Sequence, residues 1–311
     1  MREGGDSWNC FGDILLISQK QITYSKDNDS MSGIDILMIT YNRPEYTRQS
    51  LGRLLDSCDS SCRVWIWHNG DHQETLDVVR SFQSHKNVHR FYHSQENVKL
   101  RPATNWLWQN AQGDYVAKVD DDCLVPLNWL SVLTGAHREN PAFGVIGCWH
   151  FMPEDFLPSI ASKKICAYAG NHQLMKNCWL GGSGYLMKTA CLQAQGVLQH
   201  DESFTHYCIR LAAAGWVNGW YFPFLYQEHM DDPRAPHTKL LTDADFAKWI
   251  PLSAQTFQAK SLDAWDKQLR RSARTLQEAP YDPHLYSAFR KKLRTYTNKV
   301  RGRLGIEKIC W

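Results

Sequence analysis

Three consecutive aspartates, at positions 120–122, follow directly on a short apolar run at residues 115–119. The run is typical of a buried strand, and in open α/β sheets the ligand crevice lies at the carboxyl ends of the strands. Like charges this close repel one another, so folding alone gives no reason to place them there. A hard divalent cation does, because Mg2+ and Mn2+ prefer oxygen ligands. Taken alone, the triplet equally fits a solvated acidic loop or an N-cap cluster ahead of Pro126.

Strands and helices alternate on both sides of this triplet. Residues 34–40 form a continuous apolar run that suits a parallel strand covered on both faces, and Pro44 then begins a helical segment at residues 45–55. Further strands are predicted at residues 63–67, 88–92, 115–119, 143–148, 165–169, 185–187 and 216–222, and further helices at residues 74–82, 126–137 and 204–214. The pattern indicates βαβ units and an α/β fold with a mostly parallel central sheet and helices on both faces.

Composition divides the chain into three parts. Residues 1–31 are polar and mixed, with one apolar segment at residues 14–17 as a candidate edge strand, and we expect a loose N-terminal extension. Residues 32–237 carry the alternation of strands and helices. Residues 238–311 are polar and favour helices without further strand signals, which predicts a helical C-terminal appendage.

Bulk properties exclude several classes of protein. The net charge of +3 over 311 residues is too mild to indicate a nucleic-acid partner. No apolar stretch approaches the ~18 residues that suggest a membrane-spanning helix, and we find no basic region followed by an apolar segment of the kind that marks a secretory signal. The ten cysteines lack a C-x-x-C pair and zinc-type spacing, which predicts free thiols in a reducing cytoplasm.

Several short motifs occur in order along the chain. They are residues 40–44, the turn Asn69-Gly70, the helix lead at residues 97–114, the triplet, the glycine-rich residues 181–184, Arg210-Leu211 with Gly215, and His229. Together they resemble the family 2 glycosyltransferases of the GT-A fold, over residues 33–232. Each motif is weak alone, but seven in register are a strong signal, and the solvated-loop interpretation of the triplet becomes the minor one.

The resemblance implies an enzyme that moves a sugar from a nucleoside-diphosphate sugar to an acceptor hydroxyl with inversion, in glycan or polysaccharide assembly. It implies Mn2+ or Mg2+ as cofactor, because a divalent metal stabilises charge on the leaving diphosphate. The implied metal ligands are Asp122, Asp120 and His229. An ordinary loop histidine beside Glu228 is the alternative for His229.

The resemblance also implies a nucleotide-sugar site at the ends of the first strands. Its residues would be Thr40, Tyr41, Arg43, His68, Asn69, Asn105, Asp120, Asp121, Gly181 and Gly182. The tyrosine ring would stack on the base, and the glycines would let the backbone approach the sugar. His68 stands where the family usually has an acidic residue that binds the base, and imidazole lacks a carboxylate's two acceptors. The base is therefore open, with Asn69 or Asp71 as substitutes. Trp149 and Trp179 are either sugar platforms or core residues.

Inverting transfer needs a carboxylate base within reach of the acceptor hydroxyl. The Glu-Asp pair that usually supplies it would fall on Ser203 and Phe204 here. The nearest carboxylates are Asp201 and Glu202, of which we favour Asp201, with His206 as an outside candidate. Alternatively, the two acidic residues only cap the following helix.

A basic tail at residues 290–303 carries no acidic residue. It is either a solvated helix face or a contact with an anionic membrane, where each basic residue contributes about 1 kcal/mol. With a glycan or lipid-linked acceptor as partner, we expect a protein that is cytoplasmic or peripheral at the inner face of the membrane.

Two other classes of function stay open. A metal-dependent sugar nucleotidyltransferase would share the acidic metal site, although the chain lacks a Gly-rich phosphate loop with a basic residue after the first strand. A catalytically silent sugar-nucleotide or glycan-binding module is the second, because the usual catalytic base is displaced.

Overall fold

The computed structural model describes residues 33–303, apart from the side chains of residues 288, 289, 291 and 292. The strands are β1 (Ile34–Thr40), β2 (Cys62–Asn69), β3 (Val88–Ser94), β4 (Tyr115–Asp120), β5 (Cys123–Leu124), β6 (Phe143–Gly147), β7 (Ile165–Ala167), β8 (Gln173–Lys176), β9 (Tyr185–Lys188), β10 (Val217–Phe222) and β11 (Glu228–His229). The extension predicted for residues 1–31, with its edge strand, lies outside the described residues.

Helices occupy most of the connections. They are α1 (Pro44–Asp56), α2 (Gln73–Ser81), α3 (Leu100–Asn110), α4 (Trp129–Glu139), α5 (Pro158–Ala161), α6 (Thr189–Gln195), α7 (Phe204–Ala213), α8 (Asp243–Lys248), α9 (Leu252–Thr256), α10 (Leu262–Glu278) and α11 (Ala288–Arg303). Short 3-10 turns lie at Pro153–Asp155, Ser162–Lys164, Ala169–Asn171 and Pro283–Tyr286.

Nine of the strands form one sheet in the order β3-β2-β1-β4-β9-β6-β10-β8-β7. The first four are parallel, β9 runs antiparallel between β4 and β6, and β10 is parallel to β6. β5 and β11 make a separate antiparallel pair. The carboxyl ends of β1, β2 and β4 therefore meet at one edge of the sheet, where the aspartate triplet emerges.

Both faces of the sheet are covered, as a continuous apolar strand requires. Along β1, Ile36 and Met38 pack into one hydrophobic cluster, while Leu37 and Ile39 pack into the other. Leu51 of α1 joins the first of these clusters. The predicted α/β fold with a mainly parallel sheet and helices on both faces is confirmed.

The hydrophobic pattern of the sequence did not predict the very short strands. We interpreted residues 150–178 as loops with one strand, but β8 lies there, held by antiparallel pairing with β10. A four-residue strand is too short to show periodicity, so only the sheet neighbour defines it. The helix predicted from residue 126 begins at Trp129, because residues 126–128 form the turn that leads into it.

Of the helices beyond residue 237, α10 packs on the sheet domain. Ala273 and Leu276 of α10 belong to the same hydrophobic cluster as Leu37. Near the other end of α10, the Trp265 indole N–H donates to the carbonyl of Asp231 at 2.7 Å. The described residues 33–303 belong to one compact unit, and the division at residue 237 stays a prediction. In the part of the chain that the structure describes, no helix is long and apolar enough to cross a membrane.

A buried carboxylate fastens the start of β1 to its neighbours. Asp35 is fully buried, and its carboxylate accepts hydrogen bonds from the Arg63 guanidinium at 2.7 and 2.8 Å and from the Trp65 indole at 2.8 Å. It also accepts from the N–H groups of Gln112 and Gly113, both at 2.8 Å. Burial alone would raise the pKa of Asp35, but these bonds, above all that of Arg63, hold it below its usual value.

The substitution Asp35→Asn should lower the free energy of unfolding by about 3 kcal/mol near pH 7, because it breaks a buried ion pair. Since the folded pKa of Asp35 is lowered, the stability that it contributes is present above the unfolded pKa and is lost as the pH falls through the folded pKa. Urea unfolding at several pH values should show the wild type and the variant converging below about pH 4. The exposed Asp71→Asn is the matched control, and a difference that did not depend on pH would contradict this assignment.

Candidate active site

Two short strands bring the late histidine to the aspartate triplet. After β4 ends at Asp120, the chain turns and continues as β5. β11 pairs with β5 so that His229 lies opposite Cys123, and the Met230 N–H donates to the Asp122 carbonyl at 2.8 Å. After His229 the chain turns, and the Asp232 N–H donates to the His229 carbonyl at 2.9 Å. The strand pairing and the turn together bring His229 and Asp231 to Asp122.

Asp122, His229 and Asp231 form a group with metal-ligand geometry. One potential ligand atom from each lies within 4.8 Å of the others. Two carboxylates and an imidazole are a plausible donor set for a divalent cation. The Nε2 atom of His229 lies 3.8 Å from Asp122 Oδ2. We call these three residues the metal cluster.

The sequence-based ligand set differs from this cluster in two residues. Asp231 was missed, because it reaches Asp122 only through the pairing of β5 with β11 and the turn that follows β11. Asp120 does not belong to the cluster, because its carboxylate contacts the Lys118 ammonium instead. Asp120 and Lys118 lie two residues apart on the same side of β4, which explains the pairing.

Arg43 lies between the two carboxylates of the metal cluster. Its Nη1 atom is 3.1 Å from Asp122 Oδ2 and 2.7 Å from Asp231 Oδ2. The Arg43 side chain comes from the turn between β1 and α1. This turn therefore supplies a positive charge to carboxylates that follow β4 and β11. A cation bound by these oxygens would compete with Arg43 for them. The guanidinium would then be free to contact another anion.

The crowded carboxylates have pKa values that move in different directions. Burial, with the negative charge of Asp122 adding to it, raises the pKa of Asp121 to about 7 and that of Asp231 to about 6. Burial would also raise the pKa of Asp122, but His229 and Arg43 lower it to about 2. Asp122 is therefore the carboxylate most firmly held in its charged form, and a bound divalent cation would favour the charged form of its neighbours as well.

Lys118 links Asp120 to the glycine-rich segment. Its ammonium is almost fully buried, contacts Asp120 and donates to the Gly182 carbonyl at 2.9 Å. The Asp120 N–H donates to Ser183 Oγ at 2.9 Å. A lysine inside an apolar strand needs a buried partner, so Lys118 was itself a sequence signal for this contact.

The turn after β1 is fastened to Asp121. The carboxylate of Asp121 accepts from the Tyr41 N–H at 2.9 Å and from the Thr47 hydroxyl at 3.3 Å. The Tyr41 ring lies against Gly70, where an added Cβ would come within 3.3 Å of the ring. The middle carboxylate of the triplet thus positions the segment predicted to receive the nucleotide.

His68 and Asn69 hold the ends of the strands together. His68 is fully buried, and its Nδ1 atom lies 2.8 Å from Thr40 Oγ1 on the neighbouring strand. Burial lowers the pKa of His68 to about 4, so the ring is neutral at pH 7. The Asn69 amide oxygen accepts from the Trp67 indole at 3.0 Å and from the Val98 N–H at 3.3 Å. Contact of either side chain with a base would require these packed groups to move.

Asn105 and Gly181, which were predicted to bind the nucleotide sugar, each have a structural role. The Asn105 amide exchanges two hydrogen bonds with the Leu198 backbone, at 2.9 and 3.0 Å, which fixes the loop after α6. A Cβ on Gly181 would lie 2.7 Å from Cε1 of His150, so the imidazole already requires glycine there. Trp149 is fully buried and stacks on Phe224, so the sugar-platform role considered for it is wrong.

The candidate bases have different surroundings. Asp201 has a side chain that is 83% exposed, and its nearest charged partners are His200 at 2.8 Å and Arg101 at 4.0 Å. Its φ of +62° is unusual for a residue other than glycine. Glu202 instead pairs with both Nε and Nη2 of Arg210, at 2.9 and 2.8 Å. His206 lies in the first turn of α7, with Nδ1 3.2 Å from Ser203 Oγ.

The chain is similar to a known sequence family and to several solved structures. The sequence model described as Glycosyl transferase family 2 matches residues 35–200. The structure is similar to the mannosyltransferase PcManGT from Pyrobaculum calidifontis in complex with GDP-Man and Mn2+, with 16% identity, a TM-score of 0.53, and coverage of 89% of this chain and 84% of that one. It is also similar to S. aureus TarS 1-349 in complex with UDP-GlcNAc, with 14% identity, a TM-score of 0.50, and coverage of 87% and 77%.

A third similar structure is GalNAc-T7 with UDP, GalNAc and Mn2+, at 10% identity and a TM-score of 0.51. The match covers 91% of this chain and 56% of GalNAc-T7. At these identities the three structures show a shared fold.

The substitution Asp122→Ala should abolish measurable Mn2+ binding in isothermal titration calorimetry, because it removes the most acidic ligand of the metal cluster. Stability should change little, since Arg43 keeps its bond to Asp231. Arg43→Gln should do the opposite and strengthen Mn2+ binding by about tenfold, because it removes a positive charge beside the ligands.

Matched controls are Asp71→Ala and Arg48→Gln, which remove exposed charges of the same sign and should leave Mn2+ binding unchanged. Undiminished Mn2+ affinity in Asp122→Ala would show that the cation binds elsewhere.

Proposed function

This chain belongs to glycosyl transferase family 2 and is a nucleotide-sugar-dependent glycosyltransferase, and we propose that it transfers the sugar with inversion, in glycan or polysaccharide assembly. The family resemblance inferred from the sequence is confirmed. The observation that carries the proposal is the metal cluster at the carboxyl end of β4, beside the glycine-rich segment. Family membership disfavours the nucleotidyltransferase and the silent module considered above.

We propose Mn2+ as the cofactor, held by Asp122, His229 and Asp231. The two carboxylates suit Mg2+ and Mn2+ alike, whereas the imidazole nitrogen favours the softer Mn2+. Two of the similar structures contain Mn2+. When bound, the metal would supply positive charge to the leaving diphosphate.

The nucleotide-sugar site assigned from the sequence remains our proposal for the donor, with roles adjusted to the geometry. Arg43 would turn from the cluster carboxylates to the diphosphate, which guanidinium groups bind well. Tyr41 would offer its ring to the base at the edge beside Gly70. Thr40, His68, Asn69 and Asn105 would act by holding the strand ends and loops around the pocket, and Asp120, Asp121, Gly181 and Gly182 by shaping the floor under the donor sugar. The similar structures contain different bases, GDP in one and UDP in two, and the base stays open.

We propose Asp201 as the general base. Its carboxylate is 83% exposed, with the exposed His200 as its near neighbour and Arg101 only at 4.0 Å, whereas Glu202 is engaged by two nitrogens of Arg210. In the reaction, the acceptor O–H proton passes to an Asp201 carboxylate oxygen while the acceptor oxygen bonds to the anomeric carbon. The bond from that carbon to the diphosphate oxygen breaks on the opposite face, which gives inversion. The left-handed backbone of Asp201 is consistent with a strained functional position.

An incubation of the protein with Mn2+ and a panel of sugar nucleotides tests the proposal. We expect sugar transfer, or slow donor hydrolysis when no acceptor is present, and NMR of the anomeric proton should show the inverted configuration. Release of pyrophosphate from a nucleoside triphosphate and a sugar phosphate would indicate a nucleotidyltransferase. Donor binding without turnover would indicate a silent module.

The C-terminal helix favours a peripheral membrane contact. In α11, Leu293, Tyr296 and Val300 are 47%, 68% and 38% exposed, and their spacing places them on one face. Arg290 and Lys299 are exposed on the same helix. An apolar stripe beside basic residues is the pattern of helices that lie in the membrane interface. We propose that α11 binds the anionic inner face of the membrane, where a lipid-linked acceptor would be presented.

The substitution Asp201→Asn should lower kcat by about 10²–10⁴-fold and leave nucleotide affinity unchanged, because a general base contributes to that extent. Asparagine tolerates the left-handed backbone, so the fold should be preserved. Stopped assays with the donor found in the panel measure the rate, and calorimetry measures the affinity.

Glu202→Gln is the comparison, with a loss expected in thermal stability rather than in the chemical step. A normal rate in Asp201→Asn would remove Asp201 from the mechanism. A large kcat loss confined to His206→Gln would place the base there.

The double substitution Arg290→Glu and Lys299→Glu should weaken binding to anionic vesicles in sedimentation assays, more strongly at low salt, because membrane attraction is screened. Turnover of a soluble acceptor should not change. Lys86→Glu with Lys163→Glu alters net charge equally at exposed sites elsewhere, and equal vesicle binding by both double variants would refute a contact through α11.

A further inference from the structure

A cavity of about 590 Å³ lies beside the metal cluster and is lined by parts of the chain that are far apart in sequence. His229 and Gly181 contribute from the side of the sheet, Thr205 from the first turn of α7, and Phe257 from the residue that follows α9. One face of α10 forms much of the remaining wall. Since His229 belongs to the metal cluster, the cavity opens directly onto the place proposed for the donor diphosphate.

The charge of this cavity is one-sided. Among the residues that the structure describes, no aspartate or glutamate lines it, and Arg271 is its one permanent cation. The other basic residues of α10 each bond to an acid one turn away: Lys267 with Asp263, Arg270 with Asp266, and Arg274 with Glu278. Within the described residues, Arg271 has no such acidic partner. The cation that faces the cavity is thus the one on α10 left available to a ligand.

Aromatic surface lies in the same wall. The Phe257 ring is 54% exposed at the cavity, and Trp179 lines it while packing edge-to-face on Tyr286 at 4.7 Å. Aromatic rings offer apolar area to the faces of sugars and to hydrocarbon chains. A ligand that combines such a surface with a negative charge would match both features.

We propose that this cavity is the acceptor site and that Arg271 binds an anionic group, a phosphate or a carboxylate, on the acceptor. The proposal rests on the transferase function given above and adds the class of acceptor. A guanidinium group donates paired hydrogen bonds to both kinds of anion, and the lack of acidic residues in the lining removes the repulsion that would oppose one.

The position of α10 sets where the anion lies. Trp265 binds the Asp231 carbonyl and so marks the end of the helix near the metal cluster. Arg271 follows six residues later, about 9 Å further along the helix axis. The anionic group of the acceptor would therefore lie about 9 Å along the α10 axis from the end that contacts Asp231.

Binding with an occupied donor site tests this inference independently of turnover. The protein is saturated with Mn2+ and with GDP or UDP, whichever binds, and titrated with glucose 6-phosphate, glucuronate and neutral methyl glucoside. We expect at least one of the two anionic probes to bind about tenfold more tightly than the neutral one, as a charge-assisted hydrogen bond provides. Arg271→Gln should remove the preference, Arg271→Lys should retain part of it, and Lys267→Gln, which alters a paired cation outside the cavity, should retain all of it.

A second arm identifies the source of the anion. Phosphatidylcholine vesicles with and without a polyprenyl phosphate are tested on the same variants, and an Arg271-dependent response to the lipid phosphate assigns a lipid-linked acceptor. A response to the soluble probes alone assigns a free anionic sugar. Equal binding of anionic and neutral probes by the wild type, or an unchanged preference in Arg271→Gln with a normal melting temperature, would overturn the anion site. Failure of donor turnover with the preference intact would instead refute the transferase proposal.

Discussion

Several carboxylates lie close together at the end of β4, and the surrounding residues provide a partner for each of them. Each carboxylate there has a partner: Asp120 has Lys118, Asp121 has the Tyr41 N–H, and Asp122 and Asp231 share Arg43. These partners come from β4 itself and from the β1–α1 turn. Charge that would be costly to bury alone is therefore balanced locally, and the same contacts fix the loops through which the donor must be held.

The cluster depends on chain segments beyond the part that defines the family. The family match covers residues 35–200, whereas His229 and Asp231 follow it and reach Asp122 through the pairing of β5 with β11. Only two residue pairs hold this small sheet together. The packing of Met230 against Tyr46 and Leu124 supports it from below, so a few buried contacts decide whether the ligands meet.

Much of the fold could be predicted from the sequence because the apolar strands and the helices between them are long enough to show their period. The triplet and His229 could also be found from their order along the chain. Asp231 and β8 could not be found in this way, because they depend on strand pairing across many residues. His68 and Asn69 were placed at the correct strand end, but a sequence motif gives no account of burial, and packing against Thr40 and Val98 occupies both side chains.

The hydrogen bond from the Trp265 indole to the Asp231 carbonyl can form only after α10 has been synthesised. All eleven strands within residues 33–303 precede α10 in the chain, so the sheet, His229 and Asp231 are synthesised before Trp265. The same helix supplies the wall of the neighbouring cavity. Docking of α10 therefore completes both the surroundings of Asp231 and the wall of the neighbouring cavity.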